Sequence, residues 1–595
     1  MDRNATFGFI LIFLLLMVWM YMNSPKRTPV HEQEQQSVVK KDSAKPIQPK
    51  PIEHNTPKSP NPYGAYFAAR AHGTDDIITI ETELFTAQIS SKGGLITKWE
   101  LKKFKTWDGH PVQLVDNENK GDFSLLFTTS DGRLVNTRDL YFDLDPPSKN
   151  ISLTGNDEFR LTCSLPASNG GRITKRFMFK NGEYGFKSDI EFKNMGEVIS
   201  NFEYQIVWEN GLQYAEYNSV DESSFAASYL YSGKELTEVD ASKIDETAQK
   251  DISGVVDWVG ERTKYFGLAL IPDPGTSDGA YLEGHRKAMP DNGVYESYSI
   301  ALKMPFREGG DEKKSMTVFL GPMDHTILKS YAINLEGMMS LGWAFLVRPI
   351  SEYVMLPLFG FLHLIIPNWG LVIIVFSILI KIVLHPLTKT SMKSMKKMQA
   401  LQPLMEEIKE KHKDDPQKMN SAVMNLYKEY GVNPAGGCLP MLLQLPILYA
   451  LYMVFRSAIQ LRQAGFVGWI HDLSIPDVIY SLPFHLPIFG VKDISGLAVF
   501  MGITMFVQQK MSVKDPRQKM MIWMMPIMWV LLFMSFPSGL NLYYTTFNIL
   551  AIAQQMIVNK QAGDEPLRKV EPKKKRAGGI FRNIPNDLTK LTRKR

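Results

Sequence analysis

Lys381 interrupts an otherwise apolar run, Ile378-Leu379-Ile380-Lys381-Ile382-Val383-Leu384. An unpaired ammonium at the centre of a bilayer helix costs ~3 kcal/mol on insertion scales, so it must be hydrated, paired or carried out to headgroups. Two readings stand side by side. The stem can snorkel past His385, about one turn on, or the ammonium can stand in a wet recess that attracts acidic groups. Polar residues elsewhere favour the recess. Ser377 lies one turn before Lys381 on the same helix face, Gln444 lies in a second apolar stretch, and the last stretch carries Asn541, Tyr543, Tyr544, Thr545, Thr546, Asn548, Gln554 and Gln555. No Asp or Glu occurs in any of the five apolar stretches after Pro367. A lone cation among neutral polar groups describes a hydrated, positively charged groove, whereas a secondary transporter more often needs an intramembrane carboxylate or inverted repeats.

Methionine supplies a second kind of surface. Met392, Met395, Met398, Met405, Met419 and Met424 stud a charged connection, and Met501, Met505, Met524 and Met528, with Phe533, lie on apolar stretches. Unbranched thioethers repack against varied apolar partners, which suits a surface that receives varied hydrophobic segments. The same residues serve equally as packing within a hairpin or as ordinary lipid-facing surface. Other chemistries find little support. Cys163 and Cys438 are the only cysteines, too few for a Cys-rich zinc site and placed where no intramolecular disulfide is expected. There is no H-E-x-x-H and no P-loop segment, so no metal, cofactor or catalytic set is expected. Gly275-Thr276-Ser277-Asp278-Gly279 fits G-x-S-x-G. It leaves a membrane-anchored periplasmic carbohydrate-binding protein or enzyme as a rival, but Pro272, Pro274 and Ala280 to Gly284 spell a hairpin loop rather than a strand–turn–helix elbow.

The elements that position these residues divide by charge. Residues 1–345 carry 37 Lys and Arg against 47 Asp and Glu, and 346–595 carry 30 against 15; the halves belong to different environments. Residues 1–22 read as an uncleaved transmembrane anchor, and 23–62, with eight prolines, as a disordered tether. From 63 to 324 the period is two, as in Ile78, Ile80, Thr82 and Leu84, and Asn181-Gly182 marks a hairpin. This predicts a large antiparallel β-sandwich. Residues 325–366 read as an interfacial helical segment with Trp343 as anchor.

Five spans follow within 367–558: Trp369 to Leu384, Cys438 to Phe455, Ile494 to Val507, Met520 to Phe536 and Leu540 to Val558. Several are shorter than the ~20 residues a spanning helix needs. Between the first two lies a helical hairpin at 389–430, its second arm begun by Asp415-Pro416 and ended by Gly431. The connection Lys389 to Tyr430 has nine Lys against six acids, and 559–595 has twelve basic residues against four. The positive-inside rule therefore puts the hairpin, the tail and, by parity, the amino terminus in the cytoplasm. Within the tail, Lys573, Lys574, Lys575 and Arg576 form a run suited to ribosomal RNA or anionic lipid, as does the terminal Arg593-Lys594-Arg595.

Ordered motifs in the second half carry a resemblance. Asn368-Trp369-Gly370, His385-Pro386-Leu387-Thr388-Lys389, Leu401-Gln402-Pro403, Asn433-Pro434 with Gly436-Gly437-Cys438 and Pro440, Trp469-Ile470-His471-Asp472-Leu473, and Phe536-Pro537-Ser538-Gly539-Leu540 with Tyr543-Tyr544 resemble the YidC/Oxa-type membrane protein insertases. The resemblance runs from about Gly342 to Lys560. It implies a nucleotide-independent insertase and chaperone for inner-membrane proteins, acting alone or with the Sec translocon, whose clients are nascent membrane proteins and which does not bind DNA. It also implies a five-helix membrane core whose groove opens to cytoplasm and lipid, and a periplasmic sandwich of galactose-mutarotase type. Most relatives are expected to carry arginine on the first core helix; Lys381 keeps the charge and loses the planar fork.

Overall fold

The computed structural model describes residues 63–116, 121–147, 149–307, 311–432, 439–486, 490–512, 519–561 and 569. The anchor at 1–22, the tether at 23–62, Cys438 and the tail residues Lys573, Lys574, Lys575 and Arg576 lie outside them. The chain forms two compact units, one reaching Ser340 and taking back 457–460, the other comprising Leu341–Arg456 and the residues from Leu461 onward.

Alternation builds the first unit. In Ile77–Glu81, Ile78 and Ile80 point inward and are buried, and they face Ile89 and Ala87 of the antiparallel neighbour Phe85–Ser90. A hairpin at Asn181-Gly182 joins Arg172–Lys180 to Gly185–Lys193, and Gly182 takes the positive φ that the turn requires. Three sheets result. Nine strands run from Glu235–Val239 at one edge to Asp143–Asp145 at the other, six from Thr247–Ser253 to Leu134–Asn136, and five from Pro111–Val115 to Asn150–Ser152. The pairing is antiparallel except where Asn150–Ser152 lies parallel to Ile77–Glu81. Phe85 stacks on Trp99 at 4.0 Å in a core that also buries Phe123, Phe177, Phe179 and Phe186.

The segment expected as one interfacial piece, 325–366, is divided. Trp258 Nε1 donates to Ile333 O at 2.9 Å and Arg262 Nη1 to Met338 O at 2.8 Å, so side chains of the sandwich tie 325–340 to it. Beyond Leu341 a π-helical turn, Ile350–Met355, leads into α1, Leu356–Ile365.

The second unit continues with α2 (Trp369–Ala400), α3 (Gln402–Lys411), α4 (Pro416–Glu429), α5 (Leu439–Ser457), α6 (Gly496–Ser512), α7 (Lys519–Phe533) and α8 (Ser538–Gln561). Asn368 caps α2 by accepting from Leu371 N at 3.1 Å. An 18-residue window of α2 has mean hydropathy 2.4, long and apolar enough to cross a bilayer, and the apolar stretch Ile522–Phe533 of α7 is shorter. The first arm of the hairpin is not the separate helix expected from Lys389. It is the continuation of α2, which runs through Pro386 and breaks only before Gln402-Pro403. Asp415 caps α4 by accepting from Gln417 N and Lys418 N, and Gly431 follows it with φ +62°.

Candidate functional site

α8 packs against both α2 and α6. Two of the sequence motifs meet where α8 begins: Ser538 Oγ donates to Asp472 O at 2.6 Å, and Gly539 N donates to Leu473 O at 2.9 Å. Nearby, the Asp477 carboxylate accepts from Leu497 N and Trp469 Nε1, at 2.7 and 2.8 Å, which supplies the start of α6 with an anionic cap. These contacts fix the ends of the helices whose faces form the site.

Between α2 and α8 lies a recess of about 600 Å³. Ile378, Lys381, Ile382, His385 and Lys389 line it from α2, and Leu550, Gln554 and Ile557 from α8. Lys381, His385 and Lys389 stand at intervals of four, so one helix face carries all three. Lys381 is 8% exposed. Its Nζ lies 4.1 Å from the centroid of Phe547, and no carboxylate pairs with it among the described residues. A cation–π contact contributes about 1 kcal/mol, less than the ~3 kcal/mol an unpaired ammonium costs in hydrocarbon. Water or an anion must supply the difference.

The remaining polar residues singled out from the sequence lie outside this recess. Ser377 is buried and donates back to Ile373 O at 2.7 Å, so its hydroxyl is satisfied within α2. Asn548 Nδ2 donates to Thr504 Oγ1 at 3.3 Å and links α8 to α6. Tyr543 is buried, stacks on Phe547 at 5.9 Å and has the Gln444 amide beside its hydroxyl. Tyr544 stands edge-on to Phe533 at 5.2 Å. Phe547 thus joins the two regions, touching the Lys381 ammonium and Tyr543. The i+4 spacing of His385 and the i+8 spacing of Lys389 from Lys381 are the signal in the sequence that puts all three on one face.

Burial also sorts the methionines. Met501 and Phe533 are 1% exposed and pack the interior, which is the packing alternative rather than a client-contact surface. Met505 and Met528 are half-buried and Met524 is exposed. On the hairpin, Met398 and Met405 pack against Leu401, Leu426 and Val432, and Tyr427 Oη donates to Met405 Sδ at 3.0 Å. Met392, Met395 and Met419 are half-buried, and Met424 is exposed. In the sandwich, Ser277 Oγ donates to Val256 O and accepts from Val256 N, at 2.8 and 2.9 Å; it pins a loop and is not poised as a nucleophile. Among the described residues no three His, Cys, Asp or Glu side chains are grouped to hold a metal.

Two family models match the chain, one described as the 60Kd inner membrane protein over residues 361–565 and one as the YidC periplasmic domain over 77–353. Curated relatives include the membrane protein insertases YidC of Prosthecochloris aestuarii and Chlorobaculum parvum. They are 39% and 40% identical, over 96% and 95% of this chain and 97% and 96% of their own. A solved structure of an active YidC insertase, with its first transmembrane domain resolved, is 19% identical. It covers 81% of this chain and 93% of its own at a TM-score of 0.35. A galactose mutarotase-like protein from Lactobacillus casei is 11% identical and covers 41% of this chain and 99% of its own at a TM-score of 0.26. Those TM-scores add nothing to what the sequence matches establish.

Proposed function

The chain belongs to the family of YidC membrane protein insertases, and we propose that it brings client segments into the bilayer through the Lys381 recess of its helical unit. It is membrane-integral with a large periplasmic domain, and its substrates are nascent membrane proteins. The observation that carries the reading is Lys381: a largely buried ammonium with no acidic partner among the described residues, in a recess of about 600 Å³.

An acidic residue of a short translocated stretch is drawn along the face that presents Lys389, His385 and Lys381. A pair at ~4 Å with an effective dielectric near 20 gains about 4 kcal/mol before desolvation, leaving a net one or two. The adjoining apolar segment then partitions sideways into lipid, and that transfer drives insertion without nucleotide or catalysis. In this reading both termini and the hairpin face the cytoplasm of a multi-pass inner-membrane protein. The Sec translocon is a partner for larger clients. The tail run Lys573 to Arg576 attracts anionic lipid and the ribosome by counterion release.

Reconstitution tests both parts. Full-length chain in liposomes, supplied with a small short-looped client and no ATP, is expected to insert it above the level of empty liposomes. Removal of the residues after Asp564 should leave that yield and abolish salt-sensitive co-sedimentation with ribosomes. Insertion no better than in empty liposomes would contradict the insertion route, and unchanged co-sedimentation across a salt series would contradict the tail's role.

A further inference from the structure

The recess holds unmet hydrogen-bonding groups of both kinds, and the orientation of one amide follows from its neighbours. Thr388 Oγ1 spends its proton on the carbonyls of Leu384 and His385, at 3.0 and 3.1 Å. Toward Gln554 it can only accept, so the amide atom 3.0 Å away is the Nε2 donor. The other Nε2 hydrogen points at His385 Nδ1, 3.1 Å away, which makes Nδ1 the acceptor and leaves the proton of the neutral imidazole on Nε2. Gln554 Oε1 is then a buried acceptor with no partner among the described residues. The Lys381 ammonium brings three donors and lies over the Phe547 ring, with no carboxylate paired to it among the described residues. Gln554 and Lys381 are each 8% exposed, so neither shortfall is made good at an open surface.

The walls are apolar and open. Ile378, Ile382 and Ile557 are 38%, 62% and 55% exposed. A small anion would meet Lys381 and leave those walls wet; hydrocarbon alone would cover them and leave both polar groups unmet. A molecule carrying a phosphate, an N–H donor and acyl chains satisfies all three.

We propose that between clients the recess holds one phospholipid of the phosphatidylethanolamine type, and that a client enters by displacing it. The phosphate lies against Lys381, with His385 and Lys389 adding donors on the same helix face. The primary ammonium donates to Gln554 Oε1, and the acyl chains cover the isoleucine wall. The displacement step rests on the client reading of this recess; occupancy by lipid does not.

The test uses the full-length chain, delipidated in detergent and titrated separately with phosphatidylethanolamine, phosphatidylcholine, diacylglycerol and inorganic phosphate, with bound molecules counted by native mass spectrometry. One phosphatidylethanolamine per chain is expected. It should be held at least tenfold more tightly than phosphatidylcholine, whose quaternary ammonium has no N–H, and than diacylglycerol, which has no phosphate; millimolar inorganic phosphate should not compete. Lys381→Met should weaken it tenfold or more, Lys381→Arg should retain it, and Gln554→Leu should bring it to the phosphatidylcholine level. Equal binding of diacylglycerol, or affinity unchanged in Lys381→Met, would overturn the lipid site. A peptide with one Asp beside an apolar run is then added. Its displacement of the lipid supports the entry step; lipid bound as described but not displaced overturns that step and the client reading, and leaves the lipid site standing.

Discussion

At the scale of single residues, the sandwich holds two buried carboxylates, Glu222 and Glu296. Glu222 is fully buried and accepts from the amides of Ala215 and Glu216; Glu296 is 2% exposed and bonded to Tyr298 Oη and Arg286. Burial pushes both acids up to about 8, against those opposing hydrogen bonds and the nearby guanidinium of Arg286. Between an ordinary glutamate value near 4.5 and 8 the folded protein keeps a proton that the unfolded chain has released. Stability therefore falls as pH rises through that window, by at most about 1.4 kcal/mol per pH unit for each carboxylate. Lys175, fully buried and lowered to about 7 by desolvation, adds stability with rising pH only above 7, so pH 5 to 7 reads the acids. We expect the thermal midpoint of the sandwich to be higher at pH 5 than at pH 7 and Glu222→Gln to flatten the slope, followed by tryptophan fluorescence; a midpoint that rises with pH would contradict the assignment. Lys381 was legible because a charge inside an apolar run is anomalous in one dimension. Lys175 was not: its ammonium is met by Gly93 O, Gly94 O and Phe123 O, at 2.8, 3.3 and 2.7 Å, and two of the three acceptors lie some eighty residues away.

At the scale of elements, α6 and α7 approach so closely that a Cβ on Gly502 would stand 2.0 Å from Val530 Cγ2. Gly502→Ala should cost about 1–3 kcal/mol by overpacking, seen as a lowered thermal midpoint in detergent. Val530→Ala in the same chain should recover most of the loss, and additive effects would show that the two residues do not meet. Strand alternation and the Asp415-Pro416 start of α4 were readable because their causes are local. The run of α2 through Pro386 was not. A proline inside a helix ordinarily ends or kinks it, yet α2 continues past it, with Thr390 Oγ1 donating to Pro386 O and Thr388 Oγ1 to Leu384 O. This continuation carries Lys389 onto the face that already holds Lys381 and His385, so where the helix ends decides which charges share the recess.

At the scale of the whole molecule, an acidic sandwich and a basic helical unit divide the chain, and the groups assigned to insertion belong to the helical one. Deleting about residues 65–315 while keeping the anchor and the segment after it should preserve insertion of simple clients; loss of insertion by a stably expressed deletion would give the sandwich a direct part. In the function proposed above, Lys381 draws acidic client segments into the recess. That role is tested most directly by inserting matched clients that differ only by Asp or Asn in the translocated stretch, using liposomes that carry the unaltered chain, Lys381→Ala, Lys381→Arg or Lys381→Glu. We expect Lys381→Ala to lower the yield of the Asp client several-fold and leave the Asn client nearly unchanged, Lys381→Arg to keep both, and Lys381→Glu to be worst for Asp. Equal Asp and Asn yields in every variant would contradict that role.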